Sequence, residues 1–156
     1  MQLIDLLTPE NVACNVHAGS KKRALEVASE ELEREQEQAG SRQIMEGLCA
    51  REKLGSTGLG HGVAIPHARI EGLDQPSGVM IRLAEPVDFD AADREPVDLI
   101  FALVVPEAAT EEHLQLLSQI AELFGDEQRR DSVRRADDAK AMYDVIARWH
   151  AEPHGA

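Results

Sequence analysis

Aromatic residues are scarce in this chain: one Trp, one Tyr and three Phe make up 3% of 156 residues. A core built almost without them must rest on Leu, Ile, Val and Ala, and the 43% hydrophobic content suffices for that. Basic residues are also short, 16 Lys and Arg against 29 Asp and Glu, for a net charge of −13. That balance argues against a nucleic-acid partner, whose backbone phosphates need a basic face. It favours solubility and partners with a positive surface. Cys14 and Cys49 are too few for a disulfide framework, and no CxxC is present. No apolar run approaches the length of a membrane-spanning helix, so the chain is not expected to be membrane-embedded. The opening MQLIDLLTPE lacks the basic start and long apolar centre of a signal peptide, which makes a cytoplasmic location the simplest expectation. With no internal repeat and no long linker, the length suits one core. The expected division is a single domain over 1–150 and a loose tail over 151–156.

What the chain does have is concentrated in Leu54 to Arg69, LGSTGLGHGVAIPHAR, where Gly55, Gly58, Gly60 and Gly62 crowd into one short span. Glycine at that density lets backbone amides approach a ligand that side chains would block. The Val63-Ala64-Ile65 run predicts a short strand, and Pro66 ends it and restricts the backbone beside His67. An imidazole next to a donor-rich loop suits a histidine that accepts and passes on a phosphoryl group. It also suits a plain turn followed by a hydrogen-bonded structural histidine. A Walker-type loop is disfavoured, because no lysine lies between Lys53 and His67. The GxGxxG fingerprint is missing as well. A zinc site on His61 and His67 would need further ligands that are not nearby, so no metal and no cofactor is expected.

The remaining pattern predicts helices alternating with strands. Ser20 is placed to cap a helix with Leu25, Ala28 and Leu32 inward, followed by a solvated polar tail from Glu30 to Gln38 and a break at Ala39-Gly40. Ser41 is expected to cap a second helix with Ile44 and Leu48 on its apolar stripe and Gly55 just past its end. Ser77 to Leu83 reads as a strand that passes through Glu85-Pro86 into Val87. Val97 to Val105 reads as a central strand buried on both faces and stopped by Pro106. Thr110 would cap a helix carrying Leu117, Ile120 and Phe124. A short helix follows from Asp126 to Arg135, and a last one from about Asp137 carries Met142, Val145, Ile146 and Trp149 at i, i+3, i+4 and i+7. His150 to Ala156 reads as a loose end. The fold class is α/β (α+β): a small mixed β-sheet with helices on both sides.

Two more residues could carry chemistry. Arg51 follows Ile44 and Leu48 near the apolar stripe of its helix. It could compensate the helix end, or offer a planar fork to phosphate oxygens. If Thr110 is a cap, His113 falls in the first turn of its helix, where free amides favour anions and disfavour imidazolium. Its stripe with Leu117, Ile120 and Phe124 fits a partly buried core histidine equally well. A phosphoryl-accepting histidine must attack as the neutral ring. The protein then positions it and stabilises charge on the equatorial oxygens, for which the backbone of Gly55, Ser56, Thr57, Gly58, Gly60 and Gly62 is the candidate.

The stretch Arg51-Glu52-Lys53-Leu54-Gly55-Ser56-Thr57-Gly58 through Ala64-Ile65-Pro66-His67 resembles the type-2 EIIA domains of the bacterial phosphotransferase system, the mannitol/fructose class, and most of all their nitrogen-related branch. The resemblance extends through Pro96 to Pro106, His113 to Ser118, Leu3 to Leu7 and Ser20 to Leu25, nearly the whole chain. It implies that His67 carries a phosphoryl group, that Arg51 is an active-site arginine and that His113 is a second active-site histidine. It also implies a phosphohistidine donor, HPr or its nitrogen-branch counterpart NPr, and targets such as potassium transporters or sensor kinases that read the phosphorylation state. A sugar-transport EIIA passing phosphate to a IIB domain is the alternative, and a binding-only regulator the third reading. His61 stands where relatives often have asparagine, and Ala68 where many have glycine. An imidazole at 61 could touch a partner or the phosphate, or be a tolerated surface variant. His17, His150 and His154 lie outside every motif.

Overall fold

The computed structural model describes residues 2–108 and 111–151, with the backbone alone for Glu112, His113 and Ala151. After two 3-10 turns, Leu3–Leu6 and Pro9–Asn11, the order is β1 (Val12–Val16), α1 (Lys21–Glu35), α2 (Ser41–Lys53), β2 (Gly58–Gly60), β3 (Val63–Ala64), β4 (His67–Ile70), β5 (Ser77–Val87), β6 (Val97–Pro106), α3 (Glu111–Phe124), α4 (Glu127–Arg135) and α5 (Ala139–Ala151). The strands form one mixed sheet in the order β1-β5-β6-β3-β2, with β4 also on β6. β5 and β6 are antiparallel, whereas β1 joins β5, and β3 and β4 join β6, in parallel.

The expected central strand is β6, buried throughout except at Asp98 and Pro106. Its side chains alternate between two cores, as the two-residue period of a strand requires. Leu99, Phe101, Leu103 and Val105 meet Leu116, Ile120 and Phe124 of α3 and Met142, Val145, Ile146 and Trp149 of α5. Ile100, Ala102 and Val104 meet Ala24, Leu25, Ala28 and Leu32 of α1 and Ile44 and Leu48 of α2. The sheet is therefore covered on both faces, as the sequence predicts.

Boundaries differ in ways with local causes. Ser20 caps α1 as expected, its Oγ accepting from Arg23 N at 3.1 Å. Ser41 does not cap α2: the cap is Gly40, and the Ser41 N–H is taken by the Glu33 carboxylate of α1. A side chain from the preceding helix thus satisfies one of the orphan donors. β5 continues through Pro86 to Val87. His150 and Ala151 belong to α5. Strands β1, β2 and β4 were not signalled by the sequence, being short or glycine-rich. Thr110 and His154 lie outside the described residues.

Candidate functional site

His67 opens β4, just where the sheet edge is interrupted. β3 and β4 lie in tandem along β6, with Ile65 and Pro66 between them. Pro66 has no N–H for a ladder, though its carbonyl still accepts from Leu103 N at 2.9 Å. Ile65 turns both its polar groups towards the site: its N–H donates to Thr57 O at 3.0 Å, and its carbonyl faces His67 Nδ1 at 2.8 Å. A carbonyl only accepts, so Nδ1 carries the proton and the lone pair of the neutral ring is on Nε2. Burial pushes the His67 pKa down. The nearby Arg51 charge adds to this, and the Ile65 hydrogen bond and Glu52 oppose it. A histidine NMR titration should therefore place the His67 midpoint below the usual value of about 6.5. The unfolded chain then takes up a proton that the native ring resists, so His67 subtracts stability as pH falls through the ordinary value towards the folded one.

Arg51 reaches the same place from α2. That helix lies close over β4, because a Cβ at Gly47 would meet Ile70 Cδ1 at 2.9 Å and Ala68 Cβ at 3.1 Å. Ala68 is thus accommodated by the missing side chain opposite it. Gly47→Ala should overpack this contact and cost about 1 to 3 kcal/mol, read as a lower urea midpoint at unchanged slope. Arg51 itself is half-buried, and its Nη1 donates to Gly55 O at 2.8 Å, closing the turn after α2.

The glycine segment is only partly a phosphate-type loop. It pairs with itself as the hairpin β2–β3. Several of its amides are committed: Gly55 N to Glu52 O, Thr57 N to the Glu52 carboxylate, Gly58 N to Ser56 Oγ and His61 N to Asp93. Ser56, Thr57 and Gly58 line a cleft of about 340 Å³ together with Arg51, Ile65 and His67, whereas Gly55, Gly60 and Gly62 lie outside its lining. His61 is at the hairpin tip, exposed, with φ 58°. Its N–H donates to Asp93 Oδ2 at 2.9 Å and its carbonyl accepts from Arg134 Nη2 at 2.6 Å. Asp98 holds that arginine at 2.9 Å. Gly62 (φ 80°) is required there, since a Cβ would run into the Arg134 guanidinium.

The opposite wall comes from α3: Leu114, Leu117, Ser118 and Ala121. His113 belongs to the first turn of this helix by its backbone, immediately before Leu114. Three large apolar side chains are exposed among the described residues: Leu54 at 84%, Leu114 at 62% and Leu59 at 47%. Two of them rim this cleft, and Leu54 sits at the end of α2 beside it. Larger hollows at the 88–96 loop (about 540 Å³) and on α5 (about 430 Å³) are lined by Asp, Arg, Ala and Pro, with no histidine, cysteine, serine or threonine in their linings. Among the described residues no group of three or more His, Cys, Asp or Glu gathers to hold a metal, and no helix is long and apolar enough to cross a membrane.

The profile of one family, the phosphoenolpyruvate-dependent sugar phosphotransferase system EIIA 2 domains, matches residues 5–149. The chain belongs to this family. It is 49% identical over 146 residues to a nitrogen regulatory protein of Pseudomonas aeruginosa, covering 94% of this chain and 95% of that one. The crystal structure of nitrogen regulatory protein IIA-Ntr from Neisseria meningitidis superposes with a TM-score of 0.88 at 45% identity, over 92% of this chain and 98% of that one. IIA mannitol of Escherichia coli, solved in complex with phosphorylated IIB mannitol, shares the fold at TM-score 0.78 and 20% identity, over 90% and 96% of the two chains.

Within this EIIA domain, sequence reasoning overlooked the residues that hold the cleft in shape. Glu52 stood in the quoted motif without a role. Asp93, Asp98 and Arg134 are remote in sequence from the hairpin they clamp, and nothing in their local pattern points to it. Leu59 and Leu114 look like ordinary apolar positions until the fold exposes them on facing walls of one cleft.

Proposed function

We propose that this EIIA protein is a cytoplasmic phosphocarrier and regulator of the nitrogen-related phosphotransferase branch. It accepts a phosphoryl group on Nε2 of His67 from a phosphohistidine carrier of the HPr/NPr type. The observation that carries this reading is the half-buried His67 ring, its Nδ1 proton tied to the Ile65 carbonyl, sharing one cleft with Arg51. Its membership of the family and the names of its relatives support the same branch.

In the transfer, the Nε2 lone pair forms a bond to phosphorus while the donor's N–P bond breaks and its electron pair returns to the donor imidazole. Nδ1 keeps its proton throughout, so the accepting ring acquires positive charge. The Ile65 carbonyl and the Glu52 carboxylate both favour a cationic ring at this position. Arg51 would offer its guanidinium to the equatorial oxygens, and His113 would join from the first turn of α3, where the helix dipole favours an anion. Backbone groups of the Ser56–Gly58 wall border the same space.

The carrier would dock over the apolar rim. Leu59→Asp should raise KM for the phosphorylated carrier about tenfold with little change in kcat, because a charge in a buried contact opposes association more than chemistry. Phosphorylation adds a near-dianionic group within this rim, and targets such as potassium transporters or sensor kinases would read the difference.

The test is intact-mass analysis of the protein after incubation with phosphoenolpyruvate, Enzyme I and the carrier, kept away from acid to spare the P–N bond. One added phosphoryl group is expected. A folded protein that gains none from a carrier shown to be phosphorylated would leave a binding-only regulator as the reading. Onward transfer to a IIB domain would move it to the sugar branch.

A further inference from the structure

Glu52 is a carboxylate whose side chain is only 6% exposed, and one set of its contacts leads on to the reacting ring. Its charge is matched by Lys21, whose Nζ lies at 3.0 Å and which also stands 4.9 Å from the centroid of the Phe89 ring. The same carboxylate accepts from Thr57 N at 3.2 Å and from the Thr57 hydroxyl. Thr57 is itself buried, and its carbonyl accepts from Ile65 N at 3.0 Å. The Ile65 carbonyl in turn accepts a hydrogen bond from His67 Nδ1–H at 2.8 Å. Three residues in succession are thus fastened, each to the next, from the end of α2 to the imidazole.

We propose that Glu52 is a positioning residue: acting through Thr57 and Ile65, it holds the carbonyl that selects the Nδ1–H tautomer of His67 and aims Nε2 into the cleft. Ile65 lies where the β3–β4 ladder is broken, so its peptide groups are not fixed by the sheet. What fixes its N–H is the Thr57 carbonyl, and what fixes Thr57 is a carboxylate already neutralised by Lys21. A carboxylate suits this post because it takes both Thr57 donors and the ammonium at once, whereas an amide has only one acceptor oxygen. Without it, the Ser56–Thr57 segment could pivot. The Ile65 carbonyl would then move with it, and imidazole tautomers are set by the partner of the other nitrogen.

The inference deepens the phosphocarrier reading, yet its decisive readout requires no phosphoryl donor. Nitrogen-15 NMR of the His67 ring should show the Nδ1–H tautomer in the wild type, and a mixture of tautomers in Glu52→Ala. Glu52→Gln, which retains one acceptor for Thr57, should fall between them, and it is the variant to read if Glu52→Ala does not fold. In transfer from the phosphorylated carrier, both variants should lose kcat, Glu52→Ala by roughly ten- to a hundredfold, with KM within about twofold. A purely structural role would lower the melting temperature but leave the tautomer and kcat of the folded fraction unchanged. A folded Glu52→Ala, or Glu52→Gln in its place, with a pure Nδ1–H ring overturns the proposal. If the wild type takes no phosphoryl group but the tautomer shifts as expected, the phosphocarrier reading fails and the positioning role stands.

Discussion

His67→Ala should accept no phosphoryl group while remaining folded. The substitution deletes the only nitrogen in the described part of the cleft that combines a lone pair with a partner fixing its tautomer. Transfer to an alternative acceptor would require another nucleophile at the same point, and the Ser56 hydroxyl is already committed, donating to Phe89 O at 2.8 Å. The fold should tolerate the change. The ring is half-buried beside an open cleft, so water can take over the hydrogen bond to the Ile65 carbonyl, and the stability change should remain within about 1 kcal/mol. Intact mass after incubation with the phosphorylated carrier reads the first expectation, and a thermal melt the second. A phosphorylated His67→Ala protein would assign the acceptor elsewhere, with His113 the next residue to replace.

Arg51→Ala should lower kcat for phosphoryl acceptance by roughly a hundred- to a thousandfold, the usual loss when one preorganised donor to a transferring group is removed. The reason is geometric and electrostatic together. Arg51 shares the cleft with His67, and its charge is felt by the ring, where it opposes protonation. The same charge, placed beside incoming phosphoryl oxygens, favours the transition state and keeps the nucleophile neutral. Arg51→Lys should recover only part of the rate, since an ammonium replaces a planar fork. Two readouts separate this role from loop closure, which also uses Arg51 through Gly55 O. In Arg51→Ala the His67 titration midpoint should rise, because a cation that depresses it is gone. KM for the carrier should change much less than kcat. A variant with an unmoved midpoint and a near-normal kcat would leave Arg51 as a loop brace alone.

The candidate site was legible in the sequence to an uneven degree. His67 and Arg51 stood out because their signals are local: a glycine-rich stretch, an Ile-Pro pair before a histidine, an arginine on the stripe of Ile44 and Leu48. Folding brings both to one cleft. The six loop positions were less uniform than their composition suggested. Glycine density signals a backbone able to approach a ligand, but it cannot distinguish amides aimed at a ligand from amides spent on a hairpin, and here several are bonded to Glu52, Ser56 and Asp93. His61, with its side chain exposed, is held by its backbone from Asp93 and Arg134.

Chain-local physics was sufficient for most of the architecture. Period-3.6 patterning placed the five helices, and apolar runs bounded by turn residues placed the long strands β5 and β6, because both signals are properties of neighbouring residues. Tertiary structure alone decided three things. It resumed the strand as β4 beyond the Pro66 stop, since His67–Ile70 becomes a strand only when β6 supplies the ladder. It set Leu59 and Leu114 on facing walls of one cleft, although the intervening chain contains the whole of β5 and β6. And it linked Lys21, Glu52, Thr57, Ile65 and His67 in sequence, because a buried carboxylate must find its cation and its donors wherever the fold provides them.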